Sequence, residues 1–136
     1  MRKARVARTG ETALGAFDER LGLGSTEPWS SGEEIDYLIR AVRSRARIEY
    51  DPSLVVRHPV RQDDPRVGAR DGASVGYMLR KHRYPARVVA RMLVRPLGGM
   101  LASLVRLDGS RAGYQLATFR GRVRGYGGAK RANSSA

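Results

Sequence analysis

A chain of 136 residues with a formal net charge of +13 and no cysteine is one small domain or part of a larger one, long enough for a modest core, and it excludes disulfide frameworks and thiolate metal sites. Two histidines, His58 and His82, leave little for a histidine-rich metal centre. The charge is uneven: residues 1–76 hold 13 Lys+Arg against 12 Asp+Glu, whereas residues 77–136 hold 13 against 1. Such asymmetry asks for a polyanionic partner: nucleic acid, an anionic membrane face or phosphate-bearing substrates. Arginine far outnumbers lysine, which compositional bias alone would also produce.

Met1 to Arg8 is basic, but no apolar run follows it, so no secretory signal is expected. No run of about eighteen uncharged apolar residues predicts a simple membrane span. Residues 1–10 read as a weakly ordered start. Phe17-Asp18-Glu19 leads into Leu21-Gly22-Leu23-Gly24, a loop closed by Pro28 and Trp29. Trp29 is either a core plug or a platform for a sugar or base ring. A helix should start at Ser30 or Ser31, with Ile35, Leu38, Ile39 and Val42 on one apolar face. Ser31 with Glu34, or Ser30 with Glu33, fits a capping box. One box leaves a second glutamate and Asp36 in the same turn, where mutual repulsion calls for a cation or a buried role. Arg47–Tyr50 and Ser53–Arg57 read as two short strands, the second ending at His58-Pro59. His58 at that strand end is a ligand, a phosphate contact or a plain structural residue.

Taken together, Phe17-Asp18-Glu19, Gly32-Glu33-Glu34-Ile35-Asp36-Tyr37-Leu38-Ile39-Arg40 and Tyr50-Asp51-Pro52-Ser53-Leu54-Val55-Val56-Arg57-His58-Pro59 resemble the carboxyl-terminal half of the catalytic domain of family 2 glycosyltransferases. These are inverting enzymes with a GT-A (Rossmann-like) fold, and the resemblance covers residues 14–60. It implies a general base at the helix start, taking the proton of an acceptor hydroxyl as that oxygen attacks the anomeric carbon of a nucleotide sugar. By position the base is Glu34. The family's usual residue there is the shorter Asp, so Glu33 and Asp36 stay open beside it. The resemblance also assigns Asp18, Trp29 and Arg40 to substrate, and His58 to a divalent metal or diphosphate. Mg or Mn is the cofactor implied for the complete family domain.

Two departures carry expectations of their own. The turn Ser44-Arg45-Ala46 lacks a glycine, and an arginine in a left-handed conformation would cost about 1 kcal/mol, so the turn is expected to differ. No Asp-x-Asp occurs in these 136 residues, and no Gly-x-Gly-x-x-Gly or P-loop replaces it. The expectation is a glycosyltransferase piece that is inactive alone and is completed by an amino-terminal, nucleotide-binding half.

Residues 61–72 read as a polar link. Residues 73–124 read as basic amphipathic helices: one over Ser74–Lys81, one over Ala86–Arg95 with Arg87, Arg91 and Arg95 on one face, a third after Pro96, and a last over Gly113–Arg124. Residues 125–136 read as a disordered tail. Basic beside apolar faces suit a peripheral position at the cytoplasmic membrane face and a lipid-linked or cell-envelope glycan acceptor. Few aromatics and no recognisable module disfavour nucleic acid. The expected fold is α+β and helix-dominated, an incomplete GT-A piece with a strand pair followed by basic helices. The alternative function is a non-catalytic membrane-surface or polyanion-binding protein.

Overall fold

The computed structural model describes residues 5–6, 14–22, 24–49, 51–53, 55, 57 and 63–132. They fall into two compact units: Met1–Asp18 with Glu33–Arg61, and Glu19–Gly32 with Gln62–Ala136. The fold is helix-dominated, with four helices and one short strand pair among the described residues.

In the first unit β1 (Arg5–Val6) and β2 (Ile48–Glu49) pair antiparallel, Arg5 opposite Glu49 and Val6 opposite Ile48. Within the expected Arg47–Tyr50 strand, Ile48–Glu49 thus has Arg5–Val6 as its described partner. Asp51 explains the local break: its carboxylate accepts from the Ser53 amide at 2.9 Å and hydroxyl at 2.7 Å, turning the chain there. Leu54, Val56 and His58 lie outside the described residues. Helix α1 spans Glu33–Arg43. Its expected apolar row is not uniformly inward: Ile35 and Val42 are exposed, while Asp36 and Ala41 are buried. The helix ends with Arg45 at φ 57°, its amide bonded to Val42 O and the Ala46 amide to Ala41 O. That is a Schellman turn with arginine in glycine's usual place. The turn is kept, and the left-handed arginine costs about 1 kcal/mol.

The second unit is built on α2 (Pro65–Lys81), α3 (Ala86–Val105) and α4 (Gly109–Ala132). Residues 65–72, expected as link, are the first two turns of α2. Asp64 caps them: its side chain accepts from the Arg66 amide at 2.7 Å, and Pro65 takes the first helical position, where no amide is needed. Asp108 likewise caps α4 by accepting from the Arg111 amide at 2.9 Å. Residues 125–132, expected as tail, continue α4. Helices α2 and α3 end as α1 does. Arg83 and Leu107 take φ 49° and 57°, with Tyr84 N bonded to Leu79 O and Asp108 N to Ser103 O.

Proline at 96 was expected to divide two helices, yet α3 runs through it. Proline has no amide to give to the carbonyl four residues back, which is that of Met92. Arg122 of α4 supplies the missing donor through Nη1 to Met92 O. Burial and then the neighbouring Arg95 push the Arg122 guanidinium below its ordinary pKa, against a smaller upward effect of Tyr114. Three buried hydroxyls close on their own helices: Ser74 on Arg70 O, Ser103 on Gly99 O and Thr118 on Tyr114 O.

Helices α2 and α4 meet backbone to backbone. Gly68, Gly72 and Gly76 lie one turn apart on α2, and Gly121 and Gly125 do so on α4. A methyl group on Gly68 would stand 2.8 Å from Tyr114 O. One on Gly76 would stand 2.7 Å from Tyr126 N, and one on Gly125 2.7 Å from the carbonyl carbon of Ala73. No side chain fits such gaps, so the spacing selects glycine despite its cost of about 1 kcal/mol per interior helical position. Around this contact Leu21, Trp29, Ala73 and Tyr77 form the core.

Gly76→Ala and Gly125→Ala should each lower stability by at least about 2 kcal/mol, because backbone rather than a side-chain tip must move. Gly98, with open space where a methyl would go, is the control: Gly98→Ala should be neutral or stabilising by up to about 1 kcal/mol. Urea unfolding of the three variants measures this.

Candidate functional site

Carboxylates gather at the start of α1, where Glu33, Glu34 and Asp36 occupy the first turn. The chain enters through Gly32 at φ 91°, a conformation that side-chain-bearing residues rarely adopt. Space excludes a side chain as well, since a methyl on Gly32 would meet Met78 Cε at 3.1 Å. The helix begins at Glu33, one residue later than the Ser31–Glu34 capping box requires. Ser31 instead bonds into α2, its hydroxyl 3.1 Å from Asp71 Oδ1 and 2.9 Å from Ser74 Oγ.

The three carboxylates have different surroundings. Asp36 is 0% exposed and takes an ion pair from Arg40 Nε at 3.1 Å, one turn along. Glu33 is half-buried and Glu34 is exposed. A proton acceptor for a molecule arriving from solvent must itself reach solvent, which Glu34 does and Asp36 does not.

Arg40 does more than neutralise Asp36. Its Nη1 donates to Leu14 O and its Nη2 to Ala16 O at 2.8 Å, and the guanidinium carbon lies 5.1 Å from the Tyr37 ring centroid. Phe17 stacks on that ring with centroids 4.7 Å apart. Two guanidinium nitrogens of one arginine thus tie Leu14 and Ala16 to α1, while the third holds Asp36 on the same helix. Asp18, next in sequence, is half-buried and has interactions of its own.

Trp29 belongs to the second unit, buried and stacked on Tyr77 at 4.8 Å between centroids with 12° between planes. A methyl on Gly128 would lie 2.7 Å from Trp29 Cζ3, so α4 closes over the indole. That is the arrangement of a core plug. Its Nε1 has no hydrogen-bond partner among the described residues. Arg20 sits 5.8 Å from the Tyr77 ring centroid.

Among the described residues no three His, Cys, Asp or Glu side chains converge as a metal site. His58 lies outside those residues. Sequence reasoning passed over Arg122 and the glycines of α2 and α4, although Gly68-x-x-x-Gly72-x-x-x-Gly76 is itself a readable spacing. Comparisons of the chain with family models, with curated proteins and with solved structures returned no match.

Arg40→Ala should cost about 2–3 kcal/mol. That is somewhat below the usual 3–5 kcal/mol for stranding a buried charge, because Arg40 is partly exposed. Arg40→Lys should recover only part of it, since one ammonium cannot reach three acceptors in a fork. Chemical denaturation of both variants tests this; an Arg40→Ala protein as stable as the parent would show the clamp to be idle.

Proposed function

We propose that this chain carries the acceptor side of a family 2, inverting, GT-A-type glycosyltransferase that acts at a membrane surface on a lipid-linked or cell-envelope glycan. The observation that carries the reading is the exposed Glu34 at the start of α1, on a helix whose first turn is anchored by the Asp36–Arg40 pair. In the reaction the Glu34 carboxylate accepts the proton of the acceptor hydroxyl. That oxygen bonds to the anomeric carbon, and the nucleoside diphosphate leaves with the electron pair of the broken bond. Glu33 is the neighbouring carboxylate that could share the proton. Asp36 and Arg40 hold the turn and the Leu14–Ala16 segment in place rather than meeting substrate.

Binding a nucleotide sugar requires phosphate contacts that the Asp-x-Asp motif provides in the family, and no such motif occurs in these 136 residues. The nucleotide-binding strands would come from another polypeptide segment, and the chain alone does not turn over. The proposed location is the cytoplasmic membrane face. A second reading, a non-catalytic membrane-surface protein, is favoured by the uncovered apolar face of α3.

Purified chain incubated with nucleotide sugars and Mg²⁺ or Mn²⁺ should give no transfer; robust turnover would contradict the reading. With activity restored by a nucleotide-binding half of the family, Glu34→Gln should lower the rate about 10²–10⁴-fold. If that substitution leaves the restored rate unchanged, Glu34 is not the base. Binding to vesicles should survive Glu34→Gln under either reading.

A further inference from the structure

Helix α3 is apolar on two opposite faces, and the fold covers one of them. Val89, Pro96 and Ser103, seven residues apart, are its buried positions. Val94, Leu101 and Val105 lie on the other side, with Leu104 flanking them, and all four are exposed. An 18-residue window of the helix has mean hydropathy 1.5, enough by length and composition to cross a membrane, yet only 17% of it is buried. A helix apolar all round ordinarily sits inside a protein or a bilayer. The exposed row continues past the helix end to Leu107, which is 93% exposed and holds φ 57° where glycine would be unstrained. A leucine kept in a strained turn with its side chain in water has no packing reason to be there.

Charge decides what covers this face. No acidic residue occurs between Asp71 and Asp108, and Arg87, Arg91 and Arg95 line the first half of α3 while Arg106 and Arg111 flank its end. The uncharged part, Pro96–Val105, is about 15 Å long at 1.5 Å per residue. That is half the thickness of a bilayer's hydrocarbon core, about 30 Å. Crossing would also take Arg91 and Arg95 into that core. A shallow wedge leaves the arginines at the phosphates and puts the leucines among the upper acyl chains.

We infer that the turn between α3 and α4 is a membrane wedge, with Leu101, Leu104, Val105 and Leu107 inserting into one leaflet of an anionic bilayer while the surrounding arginines contact lipid phosphates. The inference deepens the membrane-surface part of the proposed function and does not need the sugar chemistry, so failure of either leaves the other standing.

The absence of cysteine makes the test clean. Leu107→Cys and Val123→Cys are each labelled with an environment-sensitive fluorophore, and the full chain is mixed with phosphatidylglycerol-containing or pure phosphatidylcholine vesicles. The label at 107 should shift to the blue on anionic vesicles only, and the label at 123, about 21 Å along α4 from its start, should not. Cosedimentation should weaken in high salt. Val105→Asp and Leu107→Gly should each bind at least about tenfold more weakly, as loss of a buried apolar side chain requires. Leu107→Gly relieves the strained turn, so its thermal midpoint should equal or exceed the parent's, which separates lost insertion from lost folding. An unshifted label at 107 on cosedimenting protein, undiminished binding by both variants, or tighter binding to mixed DNA than to anionic vesicles overturns the wedge.

Discussion

The second unit depends on two helices touching through their backbones. Ordinary helix pairs stand 8–10 Å apart, separated by interlocking side chains. At Gly68, Gly72 and Gly76 against Gly121 and Gly125 even a methyl group is excluded. Attraction there comes from many close van der Waals contacts and from Cα–H groups facing carbonyl oxygens, each weak and all short-ranged. It vanishes if either helix shifts along the other, so the contact sets register as well as distance. Register in turn brings α4 over Trp29 and Arg122 to Met92. The proline inside α3 is tolerated because α4 stands where its arginine can bond the orphaned carbonyl.

Glycine use makes the same point from the other direction. The chain has 16 glycines, yet Arg45, Arg83 and Leu107 hold the left-handed positions that end α1, α2 and α3. Helix ends are where glycine relieves strain, and helix interiors are where it costs most. This sequence reverses the usual placement because close approach along α2 and α4 cannot be had any other way. The left-handed arginines at 45 and 83 sit where a charged side chain reaches water. Leu107 is the exception, an apolar side chain at an exposed helix end, and it is the one continuous with the uncovered row of α3.

Parts of this were legible in the chain. The helix after Gly32, the strand at Ile48–Glu49, the helical second half and its basic character follow from periodicity and charge. The misreadings have specific causes. Asp64-Pro65 is as much a helix start as a turn, and residues 65–72 looked like a link because a single sequence does not reveal a second helix at backbone distance. Pro96 looked terminal for the same reason: its rescue comes from Arg122, thirty residues from the carbonyl it bonds. At the carboxylate cluster, residue types and spacing were visible, but which carboxylate turns inward was not. Asp36 lies beneath Arg40 because Arg40 also binds Leu14 O and Ala16 O, and backbone carbonyls leave no mark in a sequence.

Because the helix contact governs the rest, the most direct measurement is of proton–proton distances across it in solution. Nuclear Overhauser effects should appear between the α-protons of Gly125 and Ala73, and between those of Gly76 and Arg122. A spectrum with only side-chain contacts between α2 and α4, or with none, would contradict the account.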